Sequence, residues 1–305
     1  MKQQNTPKRK GKTSLAQKKE NRAGALFIAP YLIFFTVFTG IPFLMAIAMA
    51  FGNVTYITKL DNLKFVGLKN FITVFTNEEI LASLGRTFLY SLVYVPLIMV
   101  LGFAFAFILN KDVFCKNGIR SMIFMPYVSN MVAIAIVFKV LLGNGSPIIQ
   151  GLQNMGFEPP LLLQSLKWAL PTTAAIAVWK SLGLNMVVYL GALQDVPSEL
   201  VEAAQIDGAT KWQRIRHVII PMVSPTTFFL LISSITGSFQ NFTIIQALTE
   251  GGPGQATTVM SINIVRTAFT KYQTSVASAM ALVMFAVVMI VTLIQWRGQK
   301  KWVNY

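Results

Sequence analysis

Four acids and three strong bases gather between Asp195 and Arg216, in a chain that is 54% hydrophobic and only 12% charged. Residue types able to do acid–base chemistry, ion pairing or partner recognition are therefore concentrated in one island, flanked on both sides by long apolar runs. Its core, ELVEAAQIDGATKWQRIRHVIIP from Glu199 to Pro221, shows no pairing that would make a catalyst. His217 is the chain's single histidine, and nothing beside it sets it up as a base or a metal ligand, so a contact with headgroups or a partner is the better reading. Cys115 is the lone cysteine, which excludes an internal disulfide, and no Cys/His grouping has metal-ligand spacing. Gly11, Lys12 and Thr13 end like a phosphate-binding loop, but Thr6 stands where the leading glycine belongs and no apolar strand precedes it. No catalytic residue, metal or cofactor of this chain's own is expected.

The elements that position the island must be membrane helices. A mean hydropathy of +0.58 and 23 phenylalanines in 305 residues exceed what a soluble globule hides from water. Six runs are long and apolar enough to cross a bilayer: residues 24–51, 87–109, 119–143, 168–193, 219–246 and 276–296. No acid falls inside any of them, as the cost of a carboxylate in lipid requires. The runs are far longer than barrel strands, so the expected fold is an all-α membrane bundle.

With the N-terminus inside, the inner segments hold 17 bases and the outer ones seven, so the positive-inside rule places both termini and the island in the cytoplasm. That topology, with contact to anionic lipid, accounts for the net charge of +15 without nucleic acid. Residues 1–23 read as a basic, disordered cytoplasmic tail. The apolar run that follows is about twice a signal-peptide core, so it reads as a retained first helix. Residues 24–297 form the membrane domain, with the island as a loop over 194–220, and 298–305 a short basic C-terminus.

Within the island, Pro197, a capping hydroxyl at Ser198 and acids at Glu199 and Glu202 announce a short helix. Gly208 permits a turn into a second segment, and Pro221 suits the first turn of the next spanning helix. The product is a helix-turn-helix elbow. It reads either as an interfacial loop anchored by Trp212 and the bases, or as a docking knob whose small Ala203, Ala204 and Gly208 admit a partner's backbone.

Two further features sit in the spans. Ser234, Ser238 and Asn241 follow i, i+4 and i+7 spacing, a polar stripe that must face protein or water. It is read either as helix packing or as the lining of a path, and the amide of Asn241, both donor and acceptor, favours lining. Lys139, near a helix end, can snorkel. Lys180, mid-span, needs water, carbonyls or a partner's acid; it either lines an aqueous path or bonds structurally. Gly251, Gly252 and Gly254 around Pro253 mark an outer turn.

EAAQIDGATKWQRIRHVIIP resembles the signature of the permease subunits of ATP-binding-cassette importers: Glu-Ala-Ala, Gly six residues after the Glu, and Pro thirteen after that Gly. It departs mildly at Val218 and Ile220, where the pattern prefers Ile and Leu. The resemblance implies the six-helix fold of type I importer permeases, with the elbow as a coupling helix. Glu202, Ala203, Ala204 and Gly208 would touch a cytoplasmic ATPase, within a motif that also holds Asp207 and Pro221. ATP and Mg would then be bound by that partner.

WKSLGLNMVVYLGALQDVPSELVEAAQIDGA and SFQNFTIIQALTEGGPGQATTV are similar to the sugar-permease branch, of the kind represented by the larger membrane subunit of the maltose importer. That likeness implies a substrate path at Ser181, Leu184, Ser234, Ser238, Asn241 and Thr243, with Lys180 and Gln240 as further path residues. Leu184 replaces an aromatic hydroxyl of the maltose-type subunit. The implied partners are a second permease, two copies of a P-loop ATPase, an extracytoplasmic solute-binding protein, a sugar or oligosaccharide and the plasma membrane of a prokaryote. Polyols, glycerophosphodiesters and sugar acids are alternative cargoes. The rival classes are an ion-coupled carrier or channel acting alone, which the acid-free spans disfavour, and an intramembrane enzyme or scaffold, for which no converging acid, histidine or metal group is visible.

Overall fold

A computed structural model of the chain describes residues 15–54, 64–111, 113–157 and 159–299. Helix α1 (Leu15–Phe35) passes through a π-turn at Thr36–Gly40 into α2 (Ile41–Ala50). The π-turn lies just ahead of Pro42, which has no N–H and whose ring crowds the carbonyl four residues back; widening the turn relieves both problems. The helix therefore starts nine residues ahead of the expected boundary at residue 24. Residues 1–14 of the expected tail, and residues 300–305, lie outside the described residues.

A short helix, α3 (Lys69–Thr76), leads to α4 (Glu78–Leu109), which Asn77 caps by accepting from Ile80 N at 3.1 Å and which carries Glu78 and Glu79 against its positive N-terminal end. The run expected as one span over 119–143 is two helices, α5 (Lys116–Val128) and α6 (Met131–Leu141), bent by 98°. The break falls at Ser129 and Asn130, where Asn130 Oδ1 accepts from Val132 N and Ala133 N and starts a new helix inside an apolar run.

After α7 (Pro147–Asn154), α8 (Ala169–Gln194) matches its expected bounds to a residue. The island holds α9 (Ser198–Ile206), α10 (Lys211–Arg214), a π-turn at Ile215–Ile219 and α11 (Ile220–Met222). A 68° bend separates this stretch from α12 (Ser224–Phe239), and a second break precedes α13 (Thr243–Thr249). The expected 219–246 span is thus also broken. Helix α14 (Met260–Val265) and a π-turn at Arg266–Thr270 precede α15 (Thr274–Gln299). Among the described residues, four helical runs are long and apolar enough to cross a membrane, and each of two bent pairs adds one if it counts as a single span. Among the described residues, pairing of strand type is limited to an isolated bridge between Gly52 and Phe65.

Helices α4 and α8 form the most extensive pairing and the centre of the bundle. Gly102 of α4 lets them close, since a Cβ there would stand 3.0 Å from Asn185 Cβ. Helix α5 crosses α8 at Gly183, where a Cβ would lie 2.6 Å from both Ile123 O and Phe124 Cα. A separate cluster of Ala50, Val74, Ile80, Met260, Ala279, Met280 and Val283 ties α2 and α3 to α15. Buried Asn70 closes that corner by donating to the carbonyls of Ala50 and Gly52, both at 2.8 Å. By contrast, the apolar run of α1 and α2 is left exposed almost throughout.

Candidate functional site

The elbow is built as a projection. None of the residues of α9 or α10 is buried, and Ile206 at its tip is 87% exposed. Pro197 is the N-cap of α9 and Ser198 its first helical residue, with no side-chain cap, so the capping role expected of the Ser198 hydroxyl is not realised. Asp207 ends the helix, and Gly208 turns the chain at φ +81°, the left-handed region that glycine enters without cost. Thr210 and Gln213 then form a reciprocal capping box that starts α10. Arg214 Nη1 donates back to Gln205 Oε1, bracing the two arms of the elbow.

Glu202, Ala203, Asp207 and Gly208 are all exposed, with Ala204 half-buried. Ala204, Asp207 and Gly208, three of the six residues expected to couple to a partner, line one open surface with Gln213 and His217, while Glu202 lines the side of the elbow toward α4. Pro221 does not join them. It sits in α11, continuous with α10 through the π-turn, and the next long helix starts only beyond the bend at Val223. The expected placement of Pro221 in the first turn of a spanning helix is thus corrected: as at Pro42, a π-turn just ahead of the proline absorbs its missing N–H.

Around α12 the polar stripe divides in two. Ser234 and Ser238 are buried inside the chain, and Ser238 Oγ lies 2.8 Å from Ser91 Oγ of α4 and 2.7 Å from Ile235 O. Ser238 thus ties α12 to α4. Asn241, in the break after α12, is half-buried and donates through Nδ2 to the hydroxyl of Tyr90 at 2.5 Å. Tyr90 stacks on Tyr94 at 5.9 Å between ring centroids, and Tyr94 in turn stands near Ser181 on α8. Gln240, Thr243 and Leu184 are exposed. The break at residues 240–242 thus lies beside a neutral hydroxyl-and-amide network drawn from α4, α8 and α12. Ser91, Tyr90 and Tyr94 were missed from sequence, although YSLVY already places two tyrosines four residues apart on one helical face.

Lys180 has an internal partner. Its Nζ donates to the carbonyl of Tyr127 at 2.9 Å and stands 5.6 Å from that ring's centroid. Tyr127 is in the last turn of α5, where carbonyls lack helical donors, so the ammonium caps the helix at the 98° break. Lys180→Met should lower the thermal unfolding midpoint of the detergent-solubilised protein by several degrees, through loss of a charged hydrogen bond worth about 1.5 kcal/mol or more. A normal midpoint with a raised transport KM would instead put Lys180 on the path.

At the far end of α12 and α13, Gly251 (φ +85°) and Gly254 (φ +55°) form the turn expected around Pro253. Thr257 Oγ1 donates to Gly252 O and Thr258 Oγ1 to Gly251 O, while Arg266 Nη2 donates to Glu250 O. Lys139 at the end of α6 pairs with Glu250 at 3.4 Å, and Lys271 with Glu79 at 3.1 Å. Among the described residues, no cluster of His, Cys, Asp and Glu suits a metal ion.

The chain is thus a many-spanned helical bundle with a bare elbow between α8 and α12 and a neutral polar network at a helix break, an arrangement that suits a membrane transport subunit. Residues 98–297 match the model of the binding-protein-dependent transport system inner membrane component family, and the chain belongs to that family. It is 34% identical over 96% of both chains to the probable ABC transporter permease protein YesP of Bacillus subtilis (strain 168). It is 28% identical to the probable starch degradation products transport system permease protein AmyD of Thermoanaerobacterium thermosulfurigenes, over 88% of this chain and 91% of that one. A chain from the crystal structure of a bacterial ABC transporter involved in the import of the acidic polysaccharide alginate shares the fold with a TM-score of 0.82 over 95% of this chain and all of that one, at 22% identity. The resemblance read from Glu202 to Pro221 therefore holds: the chain is an ABC transporter permease, a multi-pass membrane subunit and not an enzyme.

Proposed function

We propose that this chain is one half of the translocation path of an ATP-driven, binding-protein-dependent importer for a sugar or oligosaccharide. It would work with a second, similar permease, two copies of a cytoplasmic P-loop ATPase that bind ATP and Mg, and an extracytoplasmic solute-binding protein. Both termini and the elbow lie in the cytoplasm of a prokaryotic cell, as the distribution of bases favours. The observation that carries the reading is the elbow, whose small residues are left uncovered on an otherwise helical membrane chain. ATP-driven closure of the ATPase pair reaches the membrane through this surface and rocks the two permeases between outward and inward states.

For the cargo, the carrying observation is the network of Asn241, Tyr90, Tyr94 and Ser181 with exposed Gln240, Thr243 and Leu184 alongside. It offers amide and hydroxyl groups and aromatic faces but no charge, which suits a neutral, hydroxylated ligand. Ser234 and Ser238 stand behind this surface in the present state and join the lining only if α12 separates from α4 during the cycle. The similarity to AmyD, a probable permease for starch degradation products, points the same way.

The test is uptake of labelled oligosaccharides into proteoliposomes holding the whole complex, with ATP inside and the binding protein outside. Uptake that needs both supports the reading; flux without ATP would contradict it. In the same assay Asn241→Ala should cut uptake about fivefold, the worth of one hydrogen bond near 1 kcal/mol, and leave assembly intact. An assembly defect with normal specific uptake would return Asn241 to packing.

A further inference from the structure

A groove runs between the last turn of α4 and the elbow. One half, about 290 Å³, has an apolar floor of Phe107, Val201, Ile215 and Ile219 and a rim of Lys111, Lys211 and Arg214. The other half, about 280 Å³, shares Phe107, Val201 and Ile219 and ends at Glu202, the one acid among the described residues that line it. Lys111 Nζ is held 5.3 Å over the Phe107 ring, at the edge of the floor.

Among the described residues, none of the three bases has an ion-pair partner. The ion pairs among the described residues are Lys139 with Glu250 and Lys271 with Glu79, both remote from the groove. Arg214 spends Nη1 on Gln205, yet its Nε is buried with no hydrogen-bond partner. The groove sits where α4 ends at Leu109 and the chain leaves the apolar run, at the level where lipid headgroups meet water. An apolar floor beside three cations at that depth matches an amphiphilic anion, with an acyl chain for the floor and a phosphate for the rim. It also fills a gap in the packing, because α9 and α10 bury none of their residues against the bundle.

We propose that this groove is a binding site for an anionic phospholipid of the leaflet on the elbow side. The headgroup phosphate sits among Lys111, Lys211 and Arg214, and one acyl chain lies along Phe107, Val201, Ile215 and Ile219. The lipid braces the elbow against α4. The site stands on this chain's own geometry and is independent of which cargo or ATPase the complex uses.

The test is native mass spectrometry of the full chain, with whatever partners co-purify, titrated with phosphatidylglycerol or phosphatidylcholine. The wild type should take up its first phosphatidylglycerol about tenfold or more tightly than phosphatidylcholine, since each base near the headgroup adds attraction. Lys111→Gln with Lys211→Gln should abolish the preference, and the corresponding double arginine variant should keep it. Equal binding of the two lipids, or an unchanged preference in the glutamine variant, overturns the proposal. Loss of preference on adding inorganic phosphate would assign the rim to a free anion and overturn the lipid as occupant. Loss of a co-purifying ATPase with the lipid preference intact would make the groove a protein interface, also against the proposal. On the unmodified chain, phosphatidylglycerol with a photoreactive acyl tail should label peptides holding Phe107 or Val201; labelling elsewhere with none there contradicts it.

Discussion

Replacing Gly183 with alanine will push α5 off α8 and lower the stability of the detergent-solubilised protein by about 1–3 kcal/mol, the usual cost of overpacking. The added Cβ would meet Ile123 O and Phe124 Cα at 2.6 Å. Both are backbone atoms of a helix, so no side chain can swing aside to make room. The effect is sharpened by Lys180, three residues earlier on α8, whose Nζ caps α5 at Tyr127 O; a displaced α5 loses that bond as well. Gly191→Ala provides the control on the same helix, because a Cβ there meets nothing within 4 Å. A thermal unfolding series of the two variants checks the claim. Equal midpoints would mean that α5 is not seated on α8 at Gly183.

Gly208→Trp should leave the bundle intact and abolish docking of an ATPase. A Cβ at Gly208 meets nothing within 4 Å, so the bulk projects outward from the elbow and not into the fold. The internal cost is the left-handed backbone at φ +81°, about 1–2 kcal/mol for a residue with a Cβ and confined to the turn. Gly208→Asn separates strain from bulk, since asparagine tolerates the left-handed region. The asparagine variant should keep most ATP-dependent uptake, and the tryptophan variant should lose it while still folding, its unfolding midpoint lowered by only the few degrees that the strained turn costs. Full uptake by Gly208→Trp would show that this surface touches no partner.

Much of this architecture was legible in the residues, and what was not has physical causes. The α8 bounds and the core of α4, α15 and the first helix follow from apolar length alone. The bends in the 119–143 and 219–246 runs do not, because hydropathy reports that a segment suits lipid and says nothing of its direction. Local signals did exist: Ser129 and Asn130 inside an apolar run, and Pro225 just past Val223. Each is compatible with an unbroken helix, and the choice was made by packing, with α6 set against α13 and α5 against α8.

The helix-turn-helix outline of the elbow and its left-handed Gly208 are legible because they are local chemistry; the Thr210–Gln213 capping box and the Arg214–Gln205 brace are not among the sequence expectations, and Ser198 and Pro221 are placed differently. The polar stripe was found by its spacing, but its division between Ser238 on Ser91 and Asn241 on Tyr90 depends on which face α4 presents. The partner of Lys180 is a backbone carbonyl, which no residue type announces.

The central claim is that this chain passes solute only as part of an ATP-driven complex engaged through the elbow. Purification of the tagged chain from native membranes in mild detergent, with mass spectrometry of what accompanies it, tests this most directly. The account predicts a second permease and a P-loop ATPase in stable proportion, with the ATPase lost from the Gly208→Trp variant alone. Recovery of the chain by itself, with proteoliposomes that still move solute in the absence of ATP, would contradict the account and identify a self-sufficient carrier.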